Sequence, residues 1–208
     1  LNKNRYNPVS CGKKSMNIET AIKSWNKKTI RGIRVETKDY IRYVVEEIHT
    51  TVMATVDEKS RPCTAAIDLM DYDEDGFYFL TAKGKALYDR LSNSPYVAFT
   101  AMKGEDTMST VAVSIKGEVK ELGPELLPRL FEKNRYMYDI YTTEESKKAL
   151  TVFKIFKGTG EWFDLSKLPI ERALFSFGGD EVKEDGYHVN EACNGCGICE
   201  AICPQSAV

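Results

Sequence analysis

Phe77-Tyr-Phe-Leu-Thr-Ala-Lys-Gly-Lys-Ala-Leu87 is the stretch on which the reading of this chain turns. Residues 77–81 are aromatic and aliphatic and end on a β-branched threonine, the composition of a strand, and Asp73-Glu-Asp-Gly76 supplies the turn that leads into it. Gly84 breaks the run, and Leu87 and Leu91, four apart, mark one side of a short helix. Working upstream, Thr50–Val56 is rich in β-branched residues, Asp57-Glu-Lys-Ser60 is a turn and residues 62–70 form a second strand, so the pair is a hairpin. Before it, Thr37 opens a helix through Ile48 with Tyr40, Val44, Val45 and Ile48 on its apolar side. Downstream, residues 96–102 and 109–122 are strands and 124–150 is helical. Residues 151–157 and 160–164 are expected as a closing strand pair with Gly158-Thr-Gly160 as their turn. Hairpin-linked strands with few helices between them predict a mainly β (α+β) fold built on an antiparallel sheet or barrel.

The chain has 208 residues, 42% hydrophobic and 29% charged, a balance suited to a soluble globular protein. A net charge of −2 argues against nucleic acid as the main partner, because phosphate binding wants a concentrated basic face. No apolar run approaches the roughly 20 residues of a membrane span, and the first residues lack the apolar core of a secretory signal, so the expected location is the cytoplasm, with no membrane partner. Three segments are expected. Residues 1–36 form a basic extension with a docking helix (Ile18, Ala21, Ile22 and Trp25 on one side, Asn17 as cap); 37–178 carry the sheet; 179–208 are an acidic linker and a cysteine-rich tail. The first residue is Leu1 and not Met, so the chain is expected to be trimmed.

Residues 193–204 read Cys-Asn-Gly-Cys-Gly-Ile-Cys-Glu-Ala-Ile-Cys-Pro. This is the C-x₂-C-x₂-C-x₃-C-P spacing with which thiolates on a tight loop grip an iron–sulfur cube. Cys193, Cys196, Cys199 and Cys203 are the expected metal ligands. Gly195 and Gly197 permit the bends, and Ile198 and Ile202 keep water away, which tunes potential. The alternatives are structural zinc, which favours two ligand pairs across a longer loop, and disulfides, which need an oxidising compartment. In two-cluster proteins the fourth cysteine serves the other cluster. A second run is therefore expected beyond Val208, with completion of the site by Cys11 or Cys63 as the other option and an incomplete or absent 4Fe-4S cluster as the outcome if neither serves.

With its strands placed, the region 37–178 resembles the FMN-binding split barrels of the pyridoxamine-phosphate-oxidase-like superfamily. The resemblance is carried by residues 51–68, by the 77–87 stretch and by Asn93-Ser-Pro-Tyr-Val-Ala-Phe99. It implies that the strand after Pro62 lies along the flavin ring, through Thr64, Ala65, Ala66 and Ile67. It implies too that Leu80, Thr81 and Lys85, with Lys83 as helper, hold the phosphate at a helix start, where free amides and the dipole suit an anion. Taken alone, Lys83 and Lys85 also read as solvated lysines. The oxidase itself carries an arginine near Ala65 and this chain has none, so the resemblance is to the broad reductase-like branch. Residues 153–172 with Phe175-Ser-Phe-Gly-Gly179 are similar to clostridial-type proteins that fuse such a barrel to a bacterial-type ferredoxin module.

Together these resemblances imply an FMN-dependent oxidoreductase of an anaerobe. It would receive electrons from an external donor through the iron–sulfur segment and reduce a small organic molecule, as a homodimer with FMN at the interface. The alternative is a non-catalytic flavin- or haem-binding sensor or carrier. His49, opening the first strand, is the candidate acid, although a histidine there is more often structural. His188 reads as a packing or surface residue. Trp162 and Arg172 are placed to reach the partner subunit's flavin or, for Trp162, to pack in the core, and Asp164 and Arg172 to pair on the surface.

Overall fold

The computed structural model describes residues 35–168, 170–182 and 194–198. The docking helix expected around residues 18–25, His188 and three of the four tail cysteines (Cys193, Cys199 and Cys203) lie outside them. The chain opens with helix α1 (Thr37–Tyr43), capped by a reciprocal Glu36–Asp39 pair, which continues as a π-helical turn (Val44–Ile48) where a single regular helix was expected. The hairpin follows as β1 (Thr50–Val56) and β2 (Pro62–Asp68), then the short β3 (Asp71–Asp73) and β4 (Gly76–Ala82). Helix α2 (Ala86–Asn93) leads to β5 (Tyr96–Lys103) and β6 (Val111–Gly123). The helical stretch resolves into three short helices, α3 (Leu127–Lys133), α4 (Met137–Ile140) and α5 (Glu144–Lys148), before β7 (Leu150–Asp164) and β8 (Glu171–Phe177).

All strand pairs are antiparallel, in the order β2-β1-β5-β6-β7-β4-β3, with β8 also on β7. β2 and β4 belong to opposite ends of that order yet approach each other, so the sheet curls into a barrel that is split between them. No turn interrupts β7, contrary to the expected hairpin at Gly158. The strand runs on for 15 residues, with β4 along its first half and β8 along its second. Gly158 and Gly160 answer to close approach instead. A Cβ on Gly158 would meet the Lys116 carbonyl oxygen at 2.3 Å, and one on Gly160 would meet the Phe175 ring at 2.2 Å.

The barrel interior is filled by Met53, Phe77, Phe79, Phe99, Ile115, Ile155 and Trp162. α1 closes one end: Tyr40 stacks on Phe175 at 4.8 Å and Tyr43 meets Trp162 edge-on at 5.0 Å. On the other face of β4 and β7 a second core of Tyr78, Leu130, Phe131, Met137, Leu150 and Val152 holds α3 and α4 to the sheet. Beneath α3, the buried Asp71 pairs with Arg129 at 2.6 Å and with Lys133. Asp73 pairs with Lys154 at 2.6 Å and accepts from the Tyr78 hydroxyl at 2.6 Å. Burial pushes the Asp73 carboxyl up, but its bonds to Lys154 and Tyr78 outweigh this and hold it below the ordinary carboxylate value.

Candidate functional site

The β4–α2 junction gathers the phosphate-binding candidates. β4 alternates, with Phe77, Phe79 and Thr81 facing the interior and Tyr78 and Leu80 packed against the helices. Thr81 is buried opposite Thr151, whereas the Leu80 side chain is turned away, so from Leu80 only the backbone is available. Gly84, at φ +86°, turns the chain, and Lys85 begins α2 without any side-chain cap. The first amides of the helix are therefore left for an outside acceptor. Leu87 and Leu91 are buried, and Arg90 donates from Nε to the Thr55 hydroxyl at 2.7 Å, which ties α2 to β1.

The two lysines differ. Lys83 lies 3.9 Å from Glu121, whose carboxylate also accepts from Thr151 at 2.7 Å and from Tyr88 at 3.2 Å. Lys85 has no ion pair or hydrogen bond among the described residues. An exposed cation beside an uncapped helix start and a buried threonine is a donor set that fits a phosphate monoester.

β2, the other expected flavin-contacting element, is an edge strand paired only with β1, which leaves alternate backbone groups pointing outward. Thr64 and Ala66 face the open side of the sheet, and Ala65 and Ile67 are half-buried. Registers carry the open face across the molecule: Ala66, Val52, Thr100, Ser114, Glu161 and Leu174 form one row, and Thr64, Ala54, Ala98, Lys116 and Thr159 the next. From Val52 and Ala54 onward these rows line a groove of about 1040 Å³, while Ala66 and Thr64 continue the same face outside its lining. Its apolar members Val52, Tyr96 and Leu174 are 58%, 48% and 51% exposed. The β2 residues and the groove thus share one face, which sequence spacing could not reveal.

His49 lies at one end of that face, with two partners that no local pattern announced. Its Nε2 is 3.0 Å from the Tyr136 hydroxyl, which donates to Asp68 Oδ2 at 2.8 Å. Thr50 donates to the other Asp68 oxygen at 2.7 Å. Burial, then the bond to Asp68 and its charge, hold the Tyr136 phenol well above its usual range, so it stays protonated.

Trp162 lies fully in the core, the second of its two expected roles, because its strand position points inward under Tyr40 and Tyr43. Arg172 is exposed and pairs with Glu161, not with Asp164. Asp164 is buried and accepts from the Ser166 amide at 3.0 Å, on the opposite face of the strand. Cys196 is exposed. No helix among the described residues is long and apolar enough to cross a membrane.

The geometry defines an antiparallel split barrel with flanking helices. Residues 37–165 match the family described as pyridoxamine 5'-phosphate oxidase, more than half of the chain. The chain belongs to that family, whose members commonly bind FMN and are often dimers. Among solved structures it is similar to a NimC/NimA family protein from Clostridium acetobutylicum (18% identity, TM-score 0.56, covering 67% of this chain and 91% of that one). It is also similar to the conserved hypothetical protein Rv2991 from Mycobacterium tuberculosis (18%, 0.54, 68% and 92%). A third is a Clostridium acetobutylicum protein related to general stress protein 26 of B. subtilis, of the pyridoxinephosphate oxidase family (15%, 0.52, 68% and 96%). At these identities the likeness is one of fold. No curated protein matches the chain.

Proposed function

We propose that this chain is an FMN-dependent oxidoreductase that reduces a small organic substrate, with the tail cysteines Cys193, Cys196, Cys199 and Cys203 as an iron–sulfur entry for electrons from an external donor. The reading rests on one observation above all: Lys85 stands unpaired at an uncapped helix start next to the buried Thr81. Lys85 and Thr81 hold the phosphate, and a charge-assisted bond from Lys85 contributes about 1.5–3 kcal/mol. Lys83, shared with Glu121, contributes less. The outward backbone of Thr64 to Ile67 orients the ring. The groove on the same face receives the substrate, and its apolar members favour cover by a second copy of the chain. When bound, FMN supplies a centre that accepts electrons singly and passes them on in pairs, which suits it to a one-electron donor. The cysteine spacing supports the iron–sulfur part, and the absence of an arginine near Ala65 supports a reductase over the vitamin B6 oxidase reaction.

Purification of the full chain without oxygen tests this. The expected result is flavin absorbance, quenching of added FMN fluorescence and bound iron with sulfide. Colourless protein that leaves FMN fluorescence unchanged overturns the flavin reading. A haem spectrum in place of the flavin favours the sensor or carrier alternative.

A further inference from the structure

The His49 backbone sits at φ 66° and ψ −64°, a conformation that a side-chain-bearing residue rarely adopts. It is held there from both sides: the His49 amide donates to the Val44 carbonyl at 2.8 Å, closing the π-helical turn, and its carbonyl accepts from Leu69 at 2.9 Å. π-Helical turns and off-region backbone of this kind gather at functional sites. The strain aims the imidazole at Tyr136, and the hydrogen-bond inventory then assigns its protons. Tyr136 has one hydroxyl hydrogen, and Asp68 at 2.8 Å takes it, because a carboxylate can only accept. The Tyr136 oxygen therefore accepts from His49, so Nε2 carries a hydrogen and Nδ1 is the free nitrogen, without a partner among the described residues. The ring is about one-third exposed. Asp68 and Thr50 form the row next to Ala66 and Val52, two residues or about 7 Å along the strand, and of these four Val52 lines the groove; His49 directly precedes that row.

We infer that His49 is the proton donor of the reductase, acting from Nδ1, with Tyr136 and Asp68 as positioning residues that fix the ring through Nε2. The inference rests on the flavin reading above. A quinone acceptor takes up two electrons and two protons to become the hydroquinone: bound reduced FMN would supply a hydride, and the Nδ1–H bond of protonated His49 would break as the second O–H bond forms, with a solvent proton restoring the imidazolium. The hydrogen on Nε2 stays there, donated to the Tyr136 oxygen throughout, so the support does not reorganise during transfer. Glu161, Arg172 and Lys116 lie further along the open face and are paired or displaced from this row.

The test uses the FMN-loaded full chain, reduced with dithionite, and two oxidants. p-Benzoquinone must take up protons, whereas ferricyanide takes electrons alone. His49→Asn, chosen because asparagine tolerates positive φ, is expected to slow reoxidation by the quinone by about 100-fold or more and to leave that by ferricyanide at the wild-type rate. Tyr136→Phe is expected to act in the same direction and more weakly. In the flavin-free protein, ¹⁵N spectra are expected to show the neutral His49 ring protonated on Nε2, and a mixture of tautomers in Tyr136→Phe. Loss of both oxidant reactions together, loss of neither, or a wild-type ring protonated on Nδ1 overturns the assignment of His49 while FMN binding stands. Wild-type protein that takes up no FMN overturns the flavin reading, and this role of His49 with it.

Discussion

Two polar clusters flank the turn from β2 into β4, and they are built on opposite plans. Beneath α3 the charges are paired: Asp71, 1% exposed, lies between Arg129 and Lys133, its Oδ2 close to Arg129 but outside hydrogen-bond geometry, and Asp73 is held by Lys154 and Tyr78. The Asn134 amide donates to the carbonyls of Met70 and Leu130. At the start of β1 and at the β4–α2 junction the groups are part-exposed or exposed and incompletely satisfied, with Nδ1 of His49 and the Lys85 ammonium free of protein partners among the described residues. A charge-paired buried cluster fixes structure, because any loss leaves a charge without compensation. An unsaturated one at the surface keeps its bonding capacity for a ligand. The two are joined through the chain: Lys133 and Asn134 anchor the end of α3, and Tyr136, two residues on, is thereby held over His49.

The sharpest way to break this contrast is to strip Asp71 of both cations. The double variant Arg129→Ala, Lys133→Ala is expected to cost about 3–5 kcal/mol of stability, read as a lower urea midpoint. Tyr136 should loosen with it, seen as weaker line-shape order of its ring in NMR. Lys85→Ala should do the reverse: a loss of about 1.5–3 kcal/mol in FMN affinity, roughly ten- to hundredfold in Kd by fluorescence titration, with stability within about 0.5 kcal/mol of wild type. A destabilised Lys85→Ala with unchanged FMN affinity would reverse the roles given to the two regions. Lys83→Ala is expected to weaken FMN by less, roughly 0–1 kcal/mol, because Glu121 already shares its charge. The smallest effect is one of pH. Asp73 is held below its ordinary value, so its contribution is full above the usual carboxylate range and is lost as pH falls through its lowered folded-state value. Asp73→Asn should therefore lower stability at neutral pH, where Lys154 loses its carboxylate, flatten the acid limb of a stability-against-pH curve measured by urea unfolding, and leave FMN binding at neutral pH unchanged.

Local pattern was enough for most strands. Thr50–Val56 and 77–81 carry the composition of the pleat, and acidic or glycine turns bound them, so they fall where expected. It misled at Gly158, because a glycine that ends a strand and one that lets another strand or ring approach are the same residue in a sequence; Lys116 and Phe175 decide between them. β8 went unread, because Glu171–Phe177 gains its regular partners only by pairing with β7. At the site, Thr81, Lys83 and Lys85 are close in sequence and visible together, whereas Glu121, Thr151 and Tyr88 reach the same junction from three other elements. Tyr136 and His49 are 87 residues apart, and no spacing rule connects them.

The order of residues determined what is local: strand and turn chemistry, the helix start at Lys85, the run of four cysteines, and through matching along 37–165 the family. Tertiary structure alone decided which face each strand residue presents, which lysine is already paired, and that His49 meets a tyrosine already committed to Asp68. The physical reason is range. Propensity and capping act within a few residues, whereas the partner that saturates or spares a charge is brought by the curl of the sheet.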